Sequence, residues 1–235
     1  MSAKGRGETM RADGHYETPD WATFALLKRL GDVVSPGETV LDAGMGSGAV
    51  AAALIKKVPG LTVVGVEKNK RLVNLARRRF RNCPNVHVVH ADFLGAWNLP
   101  TAVRPHHAIY NPPFELTLQF AREAMKLVEY SVCSLGRVNW LGGGASPKVW
   151  LDWKRKGGPK PTTLARMEWN QENPCELLVL PRRPSFGRSA SGSTTDATEY
   201  SWMIWGDVPD LQPGRWSIAD PAVCRNLVKR RGAAT

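Results

Sequence analysis

Three glycines at alternate positions, Gly44, Gly46 and Gly48, end one short apolar run and open a helix-forming one. This join constrains the fold more than any other feature. The run before it, TVLDAG (39–44), reads as a buried strand. The run after it, AVAAALIKKV (49–58), is rich in helix formers and is stopped by Pro59-Gly60. The pattern then repeats. LTVVGVE (61–67) reads as a strand, NKRLVNLARRRF (69–80) as a helix and NVHVVHAD (85–92) as a strand. HHAIYNPPF (106–114) carries a strand into a Pro-Pro loop, LTLQFAREAMKLVEY (116–130) reads as a helix and SVCSLGRVNWL (131–141) as the next strand. Alternation at this spacing implies βαβ units and an α/β fold with a mostly parallel sheet, covered by helices on both faces.

Outside that frame the texture changes. Residues 1–14 read as a flexible basic arm without the apolar core of a signal peptide. Thr18-Pro19 opens an amphipathic helix that ends around Gly31, with Thr18 as its N-cap and Pro19 at the first helical position. The stretch 142–172 begins Gly-, Pro- and Lys-rich and reads as an excursion from the sheet. CELLVLP (175–181) is a strand, 182–198 a polar loop, YSWMIWG (200–206) a last strand and 207–235 a C-terminal tail. One domain over 15–206, with two inserted loops, is the expected organisation.

The chemistry gathers where the strands end. A glycine loop at the end of a first strand lets backbone approach a nucleotide-like cofactor at the carboxyl edge of the sheet. The next strand ends in Glu67, about 20 residues further on, where a carboxylate can accept ribose hydroxyls. The third ends in His90-Ala91-Asp92, which puts another carboxylate on the same edge for an adenine amino proton. The fourth ends in Asn111-Pro112-Pro113-Phe114. An exocyclic base amine is a poor nucleophile because its lone pair is delocalised into the ring. The Asn111 side-chain oxygen and the Pro112 carbonyl can accept its two hydrogens and aim the lone pair at an electrophilic methyl group. Pro112 and Pro113 bring no competing N–H donors. Phe114 offers a ring for stacking on an extruded base.

Together these residues resemble the class I S-adenosylmethionine-dependent amino-methyltransferases, with their Rossmann-like fold. DAGMGSG resembles the cofactor loop, Glu67 the ribose acid, Asp92 the adenine acid and NPPF the (D/N/S)PP(Y/F) catalytic motif. HYETP, ahead of the loop, resembles the aromatic-x-Thr-Pro element of one circular order of these enzymes. The resemblance implies S-adenosylmethionine as cofactor, held by Tyr16, Thr18, Pro19, Asp42, Ala43, Gly44, Gly46, Gly48, Glu67, Lys68, Asp92, Phe93 and Asn111. It implies catalysis by Asn111, Pro112, Pro113 and Phe114. LGRVNWLGG, VLPRRPSF and TDATEYSWMIW are similar to phage and prophage adenine methyltransferase-like proteins, which implies the N6 amine of adenine in DNA. N4 of cytosine, an adenine of ribosomal RNA and a glutamine side chain of a ribosome-associated protein remain open. Ala43-Gly44-Met45 departs from the Pro-Cys-Ala type sequence of many DNA enzymes.

Charge supports a nucleic-acid partner. Thirty-two Lys+Arg against 21 Asp+Glu give +11, spread over the whole chain. Lys148, Lys154, Arg155, Lys156 and Lys160, interleaved with Trp150 and Trp153, are candidate phosphate contacts. Arg182, Arg183 and Arg188 are further candidates. Arg77-Arg78-Arg79 reads as a solvated helical charge run, and Trp202 and Trp205 as core. Cys83, Cys133, Cys175 and Cys224 have no metal-ligand spacing, so no metal is expected and the chain reads as a reduced, cytoplasmic protein. No stretch approaches the about 20 apolar residues of a membrane span. A C5-cytosine mechanism is disfavoured, because the catalytic loop holds no thiol.

Overall fold

The computed structural model describes residues 17–99, 104–142, 147–157, 162–184 and 198–222. Tyr16, the 1–14 arm, Lys160, Arg188, Cys224 and most of the 182–198 loop lie outside them. The first parallel strand, β1 (Thr39–Ala43), is buried along its whole length. A continuous apolar run suits a strand covered on both faces. It pairs with β2 (Thr62–Glu67) on one side and β4 (His107–Tyr110) on the other. β3 (Val86–His90) extends the first side and β5 (Ser131–Arg137) the second, all parallel. Next come β7 (Tyr200–Gly206), antiparallel to β5, then β6 (Glu176–Val179) and β8 (Trp216–Ile218). The order is β3-β2-β1-β4-β5-β7-β6-β8. The chain leaves β1 toward β2 and later returns to its other side as β4. That reversal opens a crevice at the carboxyl ends of β1 and β4.

Two cores flank the sheet. On one face α1 (Asp20–Leu30) and α2 (Ala49–Lys57) supply Trp21, Leu26 and Leu54, while Ala76 of α3 (Lys70–Arg79) joins them. On the other, α4 (Thr117–Leu127) brings Phe120, α5 (Asn139–Gly142) brings Trp140 and α7 (Thr162–Glu172) brings Trp169. Trp140, Trp169 and Trp205 meet edge to face, with centroids 5.4–6.5 Å apart. α1 is held to the far end of the chain. Arg29 makes a two-pronged pair with buried Glu176 at 2.6 and 2.7 Å, and the Trp202 indole donates to the Ala22 carbonyl at 2.8 Å. Among the described residues no helix is long and apolar enough to cross a membrane.

Four expectations change. Thr18 is not the cap of α1. Pro19 takes that position, no side chain caps the helix, and the Thr18 hydroxyl is used elsewhere. The 131–141 strand stops at Arg137, and the chain coils into α5 to bury Trp140. The 142–172 excursion carries two helices, α6 (Pro147–Lys156) and α7. Pro147 starts α6, and Gly157 at φ +68° stops it by donating its N–H to the Trp153 carbonyl at 2.9 Å. The 207–235 tail is in part sheet, because β8 joins the edge beside β6. Trp202 and Trp205 are core, at 0% and 3% exposure.

Candidate active site

A cleft of about 430 Å³ opens at the carboxyl edge, where β1, β2 and β4 end. Its lining includes Thr18, Asp42, Gly44, Glu67, Lys68, Asp92, Phe93 and all four residues of the NPPF loop. The parallel register brings these together from far apart in sequence. Ala43, Gly46, Gly48 and Pro19 do not line the cleft, and each has a structural place. Ala43 is wholly buried at the end of β1. The Gly46 N–H donates to Glu67 Oε2 at 2.9 Å. Gly48, at φ +84°, caps α2 under the Phe80 ring. Pro19 caps α1.

Glu67 is buried and does two jobs in the backbone. Oε2 accepts from Gly46, and Oε1 accepts from the Asn69 N–H at 2.7 Å. Asn69 caps α3, its side chain accepting from the Arg71 and Leu72 N–H groups. One carboxylate therefore fixes both the glycine loop and the start of α3, while still facing the cleft. Asp92 is exposed; its Oδ1 accepts from the Leu94 N–H at 3.1 Å. Met45 also lines the cleft, and it fits because residue 65 has no side chain. A Cβ there would sit 2.1 Å from the Met45 sulfur.

Asp42 is 1% exposed, and its Oδ2 accepts from the Ala51 N–H at 3.3 Å, an orphan donor in the first turn of α2. Burial pushes its carboxyl up to about 8, against the Ala51 bond and with help from the nearby Glu67 charge. An unfolded aspartate stays near 3.8. Between those values the folded chain holds more protons than the unfolded one, so stability falls as pH rises from about 4 to about 8. The Asp42→Asn variant is expected to lack that loss. At pH 8.5 it should melt above the parent, and near parity with it at pH 4. Melting curves across pH test this; equal slopes for both proteins would refute it.

In the NPPF loop, Asn111 Nδ2 donates to Thr18 Oγ1 at 3.0 Å. Its other amide atom, Oδ1, is buried and has no hydrogen-bond partner among the described residues. The Pro113 carbonyl is occupied by the Leu116 N–H at 2.8 Å. Phe114 is half-buried; the Arg137 guanidinium lies 4.9 Å over its ring and Tyr200 stands 5.5 Å away. Part of the ring's surface is thus covered from within the protein. Arg137, Asn69 and Phe120 also line the cleft, and no sequence motif marks them. Arg137 is legible only once β5 is placed, because it ends that strand at the same edge.

The described candidate phosphate contacts are not among the residues that line the cleft. Lys148, Lys154 and Lys156 are exposed on α6, and Arg155 pairs with Asp152 at 2.9 Å. Arg182 lies 4.9 Å over the Trp21 ring, and Arg183 pairs with Glu199 at 2.8 Å. β6 runs parallel to β5, so residues 181–184 follow it at the carboxyl edge. Buried Cys133 and Cys175 have thiols pushed up to about 12 by burial.

The family model described as "Methyltransferase small domain" matches residues 15–136, the span from Thr18 through the NPPF loop to the end of β5. The chain belongs to the methyltransferase small domain family. Its cofactor is S-adenosylmethionine, and the cleft suits such a group, with buried Glu67, exposed Asp92 and apolar Met45, Leu72 and Phe93 along one opening. Two curated relatives of this methyltransferase chain are ribosomal RNA small subunit methyltransferase A of Synechococcus and of Geobacter metallireducens. The first is 37% identical over 33% of this chain and 26% of its own length. The second is 35% identical over 38% of this chain and 32% of its own length. The matches thus span about a third or less of those relatives. A provisionally assigned class I S-adenosylmethionine-dependent methyltransferase from Listeria monocytogenes has the same fold, with a TM-score of 0.61 at 16% identity over 97% of this chain and 72% of its own.

Proposed function

We propose that this methyltransferase acts on the exocyclic amine of an adenine in ribosomal RNA. The observation that carries the reading is the Asn111 Oδ1 atom, buried at the end of β4 without a hydrogen-bond partner among the described residues. A buried amide oxygen without a hydrogen-bond donor is costly, and an amine hydrogen would satisfy it. The Pro113 carbonyl is already engaged, so the Pro112 carbonyl is the loop's acceptor for a second amine hydrogen. Two acceptors hold the nitrogen lone pair out of the base plane and toward the cleft. S-adenosylmethionine supplies an electrophilic methyl group when bound. Glu67 and Asp92 are the groups for its ribose and adenine, and Phe114 with Arg137 flanks the base.

RNA is favoured over the DNA target that the motif resemblance implied, because the named relatives act on ribosomal RNA. The net charge of +11 suits either polymer. Small-subunit ribosomal RNA transcribed without modification, incubated with the protein and labelled S-adenosylmethionine, then digested to nucleosides, tests the reading. Labelled N6-methylated adenosine is the expected product. Label in a parallel DNA sample alone would return the target to DNA. No label in either would overturn the nucleic-acid reading.

A further inference from the structure

Arg79 sits in a run of three arginines that reads as solvated, yet it reaches across the glycine loop. Its Nη1 donates to the Ser47 carbonyl at 3.0 Å, and its Nη2 lies 3.6 Å from Glu17 Oε1. The Ser47 hydroxyl donates to the same Glu17 oxygen. Glu17 is thereby clamped between α3 and the glycine loop. The next residue, Thr18, is 4% exposed and receives the Asn111 Nδ2 bond. With Nδ2 so engaged, Oδ1 is the atom without a partner among the described residues.

We infer that Arg79 and Glu17 are positioning residues that hold Thr18, and that Thr18 fixes the Asn111 amide with Oδ1 as the acceptor. The clamp links the cofactor loop to the catalytic loop through three side chains and one peptide step. Its ion pair is too exposed to matter to stability, with Arg79 and Glu17 side chains at 39% and 47% exposure. Its effect is geometric, since a small misplacement of a reacting group lowers rate far more than it lowers stability. The inference rests on the proposed role of Asn111, and the test below separates the two.

Two readouts are needed on the full chain with S-adenosylhomocysteine present. The first, independent of any substrate, is hydrogen exchange of the Asn111 side-chain amide followed by NMR. Thr18→Val and Arg79→Ala are each expected to speed that exchange about tenfold, while Thr18→Ser keeps the parent rate. The second is turnover on the ribosomal RNA transcript. Arg79→Ala is expected to lower kcat about tenfold with KM for RNA unchanged, and Thr18→Ser to restore most of what Thr18→Val loses. Parent-like Asn111 exchange in Arg79→Ala overturns the clamp, whatever the activity. Faster exchange in a protein that methylates nothing upholds the clamp and overturns the proposed reaction instead.

Discussion

Replacing Asn111 with alanine is expected to lower kcat for methyl transfer about 100- to 1000-fold while S-adenosylmethionine affinity changes by less than about threefold. The side chain contributes to the cleft through one buried acceptor, whereas the proposed cofactor contacts are Glu67, Asp92 and the loop between β1 and α2. Loss of the acceptor leaves the amine lone pair delocalised and its hydrogen unsatisfied. Asn111→Asp keeps an oxygen acceptor and lets the Thr18 hydroxyl donate to it, so a smaller loss of about tenfold is expected. Single-turnover rates and calorimetric titration with S-adenosylmethionine check both halves. A loss of cofactor affinity as large as the loss of rate would place Asn111 in binding rather than in activation of the amine.

The second large effect is expected from Gly48→Ala. Gly48 caps α2 at φ +84°, where a residue with a Cβ is strained by roughly 1–2 kcal/mol. An added Cβ would lie 2.3 Å from Phe80 Cε2, with Met45 Cε at 3.4 Å behind it. Phe80 is 6% exposed and has little room to retreat, so overpacking adds about 1–3 kcal/mol. The sum, about 3 kcal/mol, corresponds to a fall of roughly 6–12 °C in melting temperature. Because the loop and α2 would shift together, S-adenosylmethionine affinity should fall at least about tenfold. Adding Phe80→Leu is expected to recover the steric share but not the backbone share. An unchanged melting temperature for Gly48→Ala would overturn the account.

What the sequence made legible was the part governed by short-range rules. Glycine spacing, strand length and the acids that end β2 and follow β3 placed Gly44, Glu67, Asp92 and Asn111 at one edge, and the structure puts them on one cleft. Features decided by distant partners were not legible. Arg79 looks like its two neighbours in sequence; only the packing of α3 against the glycine loop singles it out. Met45 read as a departure from a family pattern, whereas the missing side chain at Gly65 makes its room. α6 and α7 were hidden because glycine and proline around them read as loop, although those residues punctuate the helices. β8 is three residues long and exposed at Trp216 and Ile218, too short to carry a period of its own. Thr18 satisfied the rules for a helix cap, but a bond to Asn111, 93 positions away, took its hydroxyl.

The anchoring of α1 bears on how the molecule is born. This helix precedes β1, and besides packing on α2 it is tied to Glu176 and Trp202, 147 and 180 positions from their partners Arg29 and Ala22. Contacts so distant in sequence form late, after the intervening chain has closed its loops. β1 can pair with β2 and β4, and α1 can pack on α2, before those two anchors are in place. Full anchoring of the helix that follows Thr18 is therefore a late event in the closing of the fold.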